Sequence, residues 1–157
     1  MLGFLRGLAE RWRIRVITFV KWILFACLTG GIIGVVGGLF HEAVNVATVY
    51  REAHDKLIWA LPLTGLFITW LYHVSGMDKD PGTNYVLVAV RENAPLRLRM
   101  APLIIATTVL THLFGGSSGR EGAALQMGSA ISDSLGRAMR LQERDERMMM
   151  MCGMAAG

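Results

Sequence analysis

Three stretches of this chain carry no Asp, Glu, Lys or Arg: Trp22 to Phe40, Leu57 to Met77 and Met100 to Gly119, of 19, 21 and 20 residues. A helix needs about 20 predominantly apolar residues to cross the hydrocarbon core of a bilayer. Three such stretches within 157 residues are hard to place as buried helices of a soluble bundle. The composition agrees, with 53% hydrophobic and only 18% charged residues, against about 25% charged in an average soluble domain. The sequence therefore predicts an all-α, polytopic transmembrane protein.

The charges flank the apolar runs. Arg6, Arg11, Arg13, Arg15 and Lys21 precede the first one against a single acid, Glu10, so the positive-inside rule puts the N-terminus in the cytoplasm. This placement accounts for the formal charge of +4 without a nucleic-acid partner. Cys27 and Cys152 lie too far apart for a disulfide framework, and His41, His54, His73 and His112 lack ligand spacing; neither metal nor cofactor is expected. The first apolar run is too long for a signal-peptide core and no small-residue cleavage site follows it, so it reads as a retained span.

Residues 1–15 set Leu2, Phe4, Leu5, Leu8 and Trp12 among arginines, the pattern of an amphipathic helix on the cytoplasmic surface. Residues 16–157 then form the membrane domain. Val16 to Tyr50 reads as one long tilted helix, uninterrupted by proline, with Gly30, Gly34 and Gly38 on one face for close helix packing. Arg51 to Lys56 is a polar turn, and Leu57 to His73 returns the chain. Gly76 to Asn84 is irregular, which membrane depth tolerates only inside protein or beside a watery cavity. Tyr85 to Val90 reads as a half-length helix, followed by basic Arg91, Arg97 and Arg99. Met100 to Phe114 is a third long helix, Gly115 to Gly122 a turn, and Ala123 to Met139 another helix.

The turn before Glu121 carries the chemistry. Glycines and serines leave backbone N–H groups uncovered, and the next helix adds unpaired donors and the positive end of its dipole. Such a place holds an anion without a basic side chain. Pro81-Gly82-Thr83-Asn84 offers a second site of this kind, with Thr83 or Asn84 at the cap. Broken helices aiming their N-termini at one midplane point are how transporters hold anions. An acid within the bilayer is costly and functional by default. The Glu121 carboxylate can therefore imitate the anion and close its site, then swing away when protonated, with desolvation expected to raise its pKa. The alternative is a structural ion pair of Glu121 with Arg120 or Arg99.

Gly119-Arg120-Glu121-Gly122, after T-H-L-F-G-G-S-S and before A-A-L-Q-M-G-S-A-I, resembles the signature of the CLC chloride channels and anion/proton antiporters. The order of segments matches over nearly the whole chain, and Cys152 to Gly157 is similar to the start of that family's next helix. The resemblance implies the N-terminal part of an inverted-repeat fold with broken half-helices. It implies a multi-pass membrane protein, a homodimer in lipid, carrying chloride or fluoride and protons; the short N-terminus adds the expectation of a bacterial inner membrane. Glu121 is then the gating glutamate, with anion binding at Gly119, Arg120, Gly122 and Ala123. The family's filter serine is carried onto Thr83, with Asn84 beside it and Met77 as the competing position. Ala123 in place of the usual proline, and the missing serine motif, are similar to the fluoride/proton antiporter branch. The family builds its pore from two halves, so a chain of this length is expected to be a fragment that does not conduct alone.

Two readings of other classes compete. Gly116-Ser117-Ser118-Gly119 fits the G-x-S-G of rhomboid proteases, with Ser118 as nucleophile and His112 as the nearest base. A membrane-embedded assembly subunit without transport is the other.

Overall fold

The structure, a computed structural model, describes residues 2–77, 82–92 and 94–157. Helix α1 runs unbroken over Leu2–Ala53, 52 residues. At a rise of 1.5 Å per residue that is about 78 Å, more than twice the hydrocarbon thickness. The helix is continuous through residues 15 and 16, so no break separates the proposed surface segment from the span; the apolar face read at Leu2, Phe4, Leu5 and Leu8 lies outside the described side chains. At His54 the backbone leaves helical geometry. A short 3-10 helix, Asp55–Ala60, leads into α2, Leu61–Val74, with Pro62 in its first turn, where its missing N–H costs nothing.

Helix α3 covers Thr83–Glu92, α4 Met100–Leu113, α5 Arg120–Ala138 and α6 Glu143–Ala156. Three of the helix ends share one device. Met77 N–H bonds to Tyr72 C=O, Gly116 N–H to Thr111 C=O and Leu141 N–H to Gly136 C=O. Each closes a Schellman turn through a residue at positive φ: Gly76, Gly115 and, unusually, Arg140. The chain thus stops sharply after α2 and after α4, and restarts each time at the head of another helix. The expected loop residues Asp78, Lys79, Asp80 and Pro81 lie outside the described residues.

Two helical stretches are long and apolar enough to cross a membrane, Arg11–Ala53 and Asp55–Val74. The third predicted span falls short. Helix α4 has 14 residues, about 21 Å, because Phe114 to Gly119 of the uncharged run goes into the turn. It is an inner helix packed against α1, α2 and α5, with Met100, Ala101, Leu103, Ile104, Thr107 and Thr108 buried. The outer helices reverse the soluble pattern, turning Phe19, Val35, Leu39, Trp59, Leu63 and Leu66 outward.

The packing expected of the α1 glycines is not made within this chain. A Cβ at Gly30, Gly34 or Gly38 would meet nothing within 4 Å. Helix α1 instead buries the neighbouring stripe of Thr29, Ile33, Phe40, Val44 and Ala47, whose side chains reach the core. Close backbone approach occurs between α5 and α6. A Cβ on Gly128 would collide with Gly153 O, and one on Gly153 would collide with Ser132 Oγ. Small residues at a membrane helix interface permit this contact.

Candidate functional site

Helix α5 begins earlier than the sequence suggested, at Arg120, with Gly119 as its N-cap in extended conformation. No side chain caps it, so the first-turn N–H groups remain donors at the positive end of the helix. Glu121 lies inside that first turn, and Ala123 N–H makes the bond back to Gly119 C=O.

The heads of α3 and α5 meet at one cavity of about 470 Å³. Gly82 and Thr83 line it from α3, Gly119, Gly122, Ala123 and Gln126 from α5, and Thr107, Thr108 and Thr111 from α4, with Tyr72 and Ser118 completing the wall. The approach is close: a Cβ on Gly122 would lie 3.1 Å from Thr83 Oγ1. Gln126 Nε2 donates to Thr83 Oγ1 at 2.9 Å. The Ser118 hydroxyl on the same wall is buried and has no hydrogen-bond partner among the described residues.

The hydroxyls of α4 differ from Thr83 in one respect. Thr107 Oγ1 donates to Leu103 O at 2.9 Å and Thr111 Oγ1 donates to Thr107 O at 2.7 Å. Their protons are held by the helix backbone, so towards the cavity they present methyls and lone pairs. Thr107 and Thr111 therefore offer the cavity no donor, which leaves that part to the other hydroxyls of the wall and to the head of α5.

Of the residues singled out in the sequence, Thr83, Gly119, Gly122 and Ala123 come together here. Asn84 is exposed and not part of the lining, and Met77 is buried in the hydrophobic core. Arg120 and Glu121 line a second cleft of about 330 Å³ on the other side of α5, shared with Ile33, Gly37, Phe40 and His41 of α1. The Glu121 side chain is exposed there, and neither Arg120 nor Arg99 pairs with it among the described residues. The carboxylate therefore stands beside the threonine-lined cavity, one helix face away, not inside it.

The serine hydrolase reading finds no support. Among the described residues the Ser118 hydroxyl donates to no base, and His112 Nδ1 lies 2.8 Å from Thr108 O. Sequence reasoning missed Gln126 and the α4 threonines. Thr107, Thr108 and Thr111, at i, i+1 and i+4 in an otherwise apolar helix, were a signal available for the latter.

Comparison with known proteins bears on this geometry. The family profile described as voltage gated chloride channel matches residues 64–157. A chloride/fluoride channel protein of Pseudomonas syringae pv. tomato is 38% identical over 138 residues, covering 87% of this chain and 30% of the relative. An uncharacterized protein of Methanocaldococcus jannaschii is 30% identical over 144 residues, covering 90% of this chain and 34% of that protein. The crystal structure of a CLC-type fluoride/proton antiporter superposes with a TM-score of 0.79 at 37% identity, over 85% of this chain and 34% of that one. The chain spans about a third of the length of the relatives it matches.

Proposed function

The chain belongs to the voltage gated chloride channel family and to an integral membrane protein, and from that premise we propose that it supplies one half of the anion site of a chloride or fluoride transporter. The observation that carries the proposal is the convergence of two helix heads, Thr83 of α3 and Gly119 to Ala123 of α5, on one cavity. Backbone N–H groups and the Thr83 hydroxyl would hold the ion there without a basic side chain. An anion/proton antiporter is the reading favoured by the likeness to the fluoride/proton antiporter.

Glu121 is the gate and proton carrier. Its place in the first turn of α5 lets one side chain serve both faces of that turn. Turned towards the cavity, the carboxylate occupies the electropositive end of the helix in place of the ion; turned to the α1 cleft, where it stands in this structure, it leaves the cavity open. The exposed Arg11, Arg13 and Arg15 at the start of α1 support a cytoplasmic N-terminus, in the inner membrane of a bacterium. A homodimer with one pathway per subunit follows the family.

The test is flux from proteoliposomes of the full-length protein that carries this chain, with fluoride and chloride measured side by side. Glu121→Ala is expected to abolish proton movement coupled to the anion while altering anion flux. Unchanged coupling and unchanged flux in that variant would overturn the gating role and favour an assembly subunit.

A further inference from the structure

We propose that Gln126 is the positioning residue for the Thr83 hydroxyl, fixing it as a donor to the transported anion; the inference rests on the reading of Thr83 as part of the anion site. A threonine hydroxyl has one proton and two lone pairs, so whether it helps or repels an anion depends on where the proton points. Gln126 Nε2 donates to Thr83 Oγ1 at 2.9 Å. That bond fills an acceptor position and cannot take the proton. Among the described residues the Thr83 hydroxyl makes no other hydrogen bond, which sets it apart from Thr107 and Thr111, whose protons go to backbone carbonyls. With no acceptor for it among the described residues, the Thr83 proton is assigned to the cavity that both residues line.

The spacing supports the assignment. Gln126 lies one turn beyond Gly122, and Gly122 is bare where α5 comes nearest to Thr83. The helix that offers its N–H groups to the ion thus also carries the amide that orients the facing hydroxyl. A carboxylate at position 126 would reverse this arrangement, since it can only accept and would draw the Thr83 proton away from the cavity.

The experiment is the anion concentration giving half-maximal flux, measured in the same proteoliposomes for Gln126→Met, Gln126→Glu, Thr83→Ala, Thr83→Ser and the Thr83→Ala/Gln126→Met double variant. Gln126→Met keeps the hydroxyl and loses only its orientation, part of one hydrogen bond, and is expected to raise that concentration about three- to tenfold, with a larger rise in Gln126→Glu. Thr83→Ser, which keeps the hydroxyl, should stay near the parent. In the Thr83→Ala background the Gln126→Met change should add less than about twofold, because the hydroxyl it orients is gone. A Gln126→Met effect of equal size with and without Thr83 would overturn the positioning role, as would no effect in either glutamine variant while Thr83→Ala weakens binding. If Thr83→Ala itself leaves half-saturation unchanged, the anion-site reading of Thr83 fails, and this inference with it.

Discussion

The two ends of α5 are built on opposite terms. From Met127 to Gly136 the helix is packed hard: Met127, Gly128, Ser129, Ala130, Ser132, Asp133 and Gly136 are all buried, and at Gly128 the backbone of α6 lies against it. From Gly119 to Gly122 the same helix is open, uncapped and partly exposed, with a cavity on one side and a cleft on the other. The lesson is a division of labour within 19 residues. A close-packed base holds the helix axis still, so a sparsely packed tip can present donors in a fixed direction.

Substitutions at the base should therefore cost stability, and substitutions at the tip should not. Gly153→Ala is expected to have the largest effect, because its methyl would be driven into Ser132 Oγ and Gly128 O. Overpacking of this kind costs about 3 kcal/mol, readable as lost folded protein in a detergent thermal-stability assay. Asp133→Ala comes next. The buried carboxylate Oδ2 accepts from Leu96 N–H and from Arg137 Nε, both at 2.9 Å. Removing it leaves the Leu96 amide unpaired, at about 2 kcal/mol, whereas Asp133→Asn, which can still accept, should lose less in the same assay. Glu121→Gln at the tip is the smallest, within about 0.5 kcal/mol, since the side chain is exposed and unpaired among the described residues. A destabilisation by Glu121→Gln that matched Gly153→Ala would erase the distinction between base and tip.

How much of this was legible beforehand follows the same division. The uncharged runs gave the helical membrane fold, because hydropathy over about 20 residues is a local property. The Gly119 to Gly122 segment and the place of Thr83 opposite it were readable through motif and resemblance. The base was not. The Gly128–Gly153 contact joins residues 25 positions apart in no periodic pattern, while the conspicuous Gly30, Gly34 and Gly38 stripe faces open space. A glycine spacing says that backbones can approach, and the larger side chains beside it decide which face turns inward. The length of α4 was overestimated because uncharged turn residues count as apolar helix on a hydropathy scale. The Gln126–Thr83 bond spans 43 positions, and nothing local to either residue announces it.

Asp133 has one more consequence. Leu96 sits in the link between α3 and α4, and its amide is hung on a carboxylate that belongs to α5. From Asp133 to Gly122 is three turns of helix, about 16 Å. The tether therefore works as a datum at the far end of a ruler: it registers α3 against α5, so that the separation of their heads is indexed from a point remote from the cavity. Such alignment survives sequence drift at the heads and is lost through removal of a single acceptor at the back.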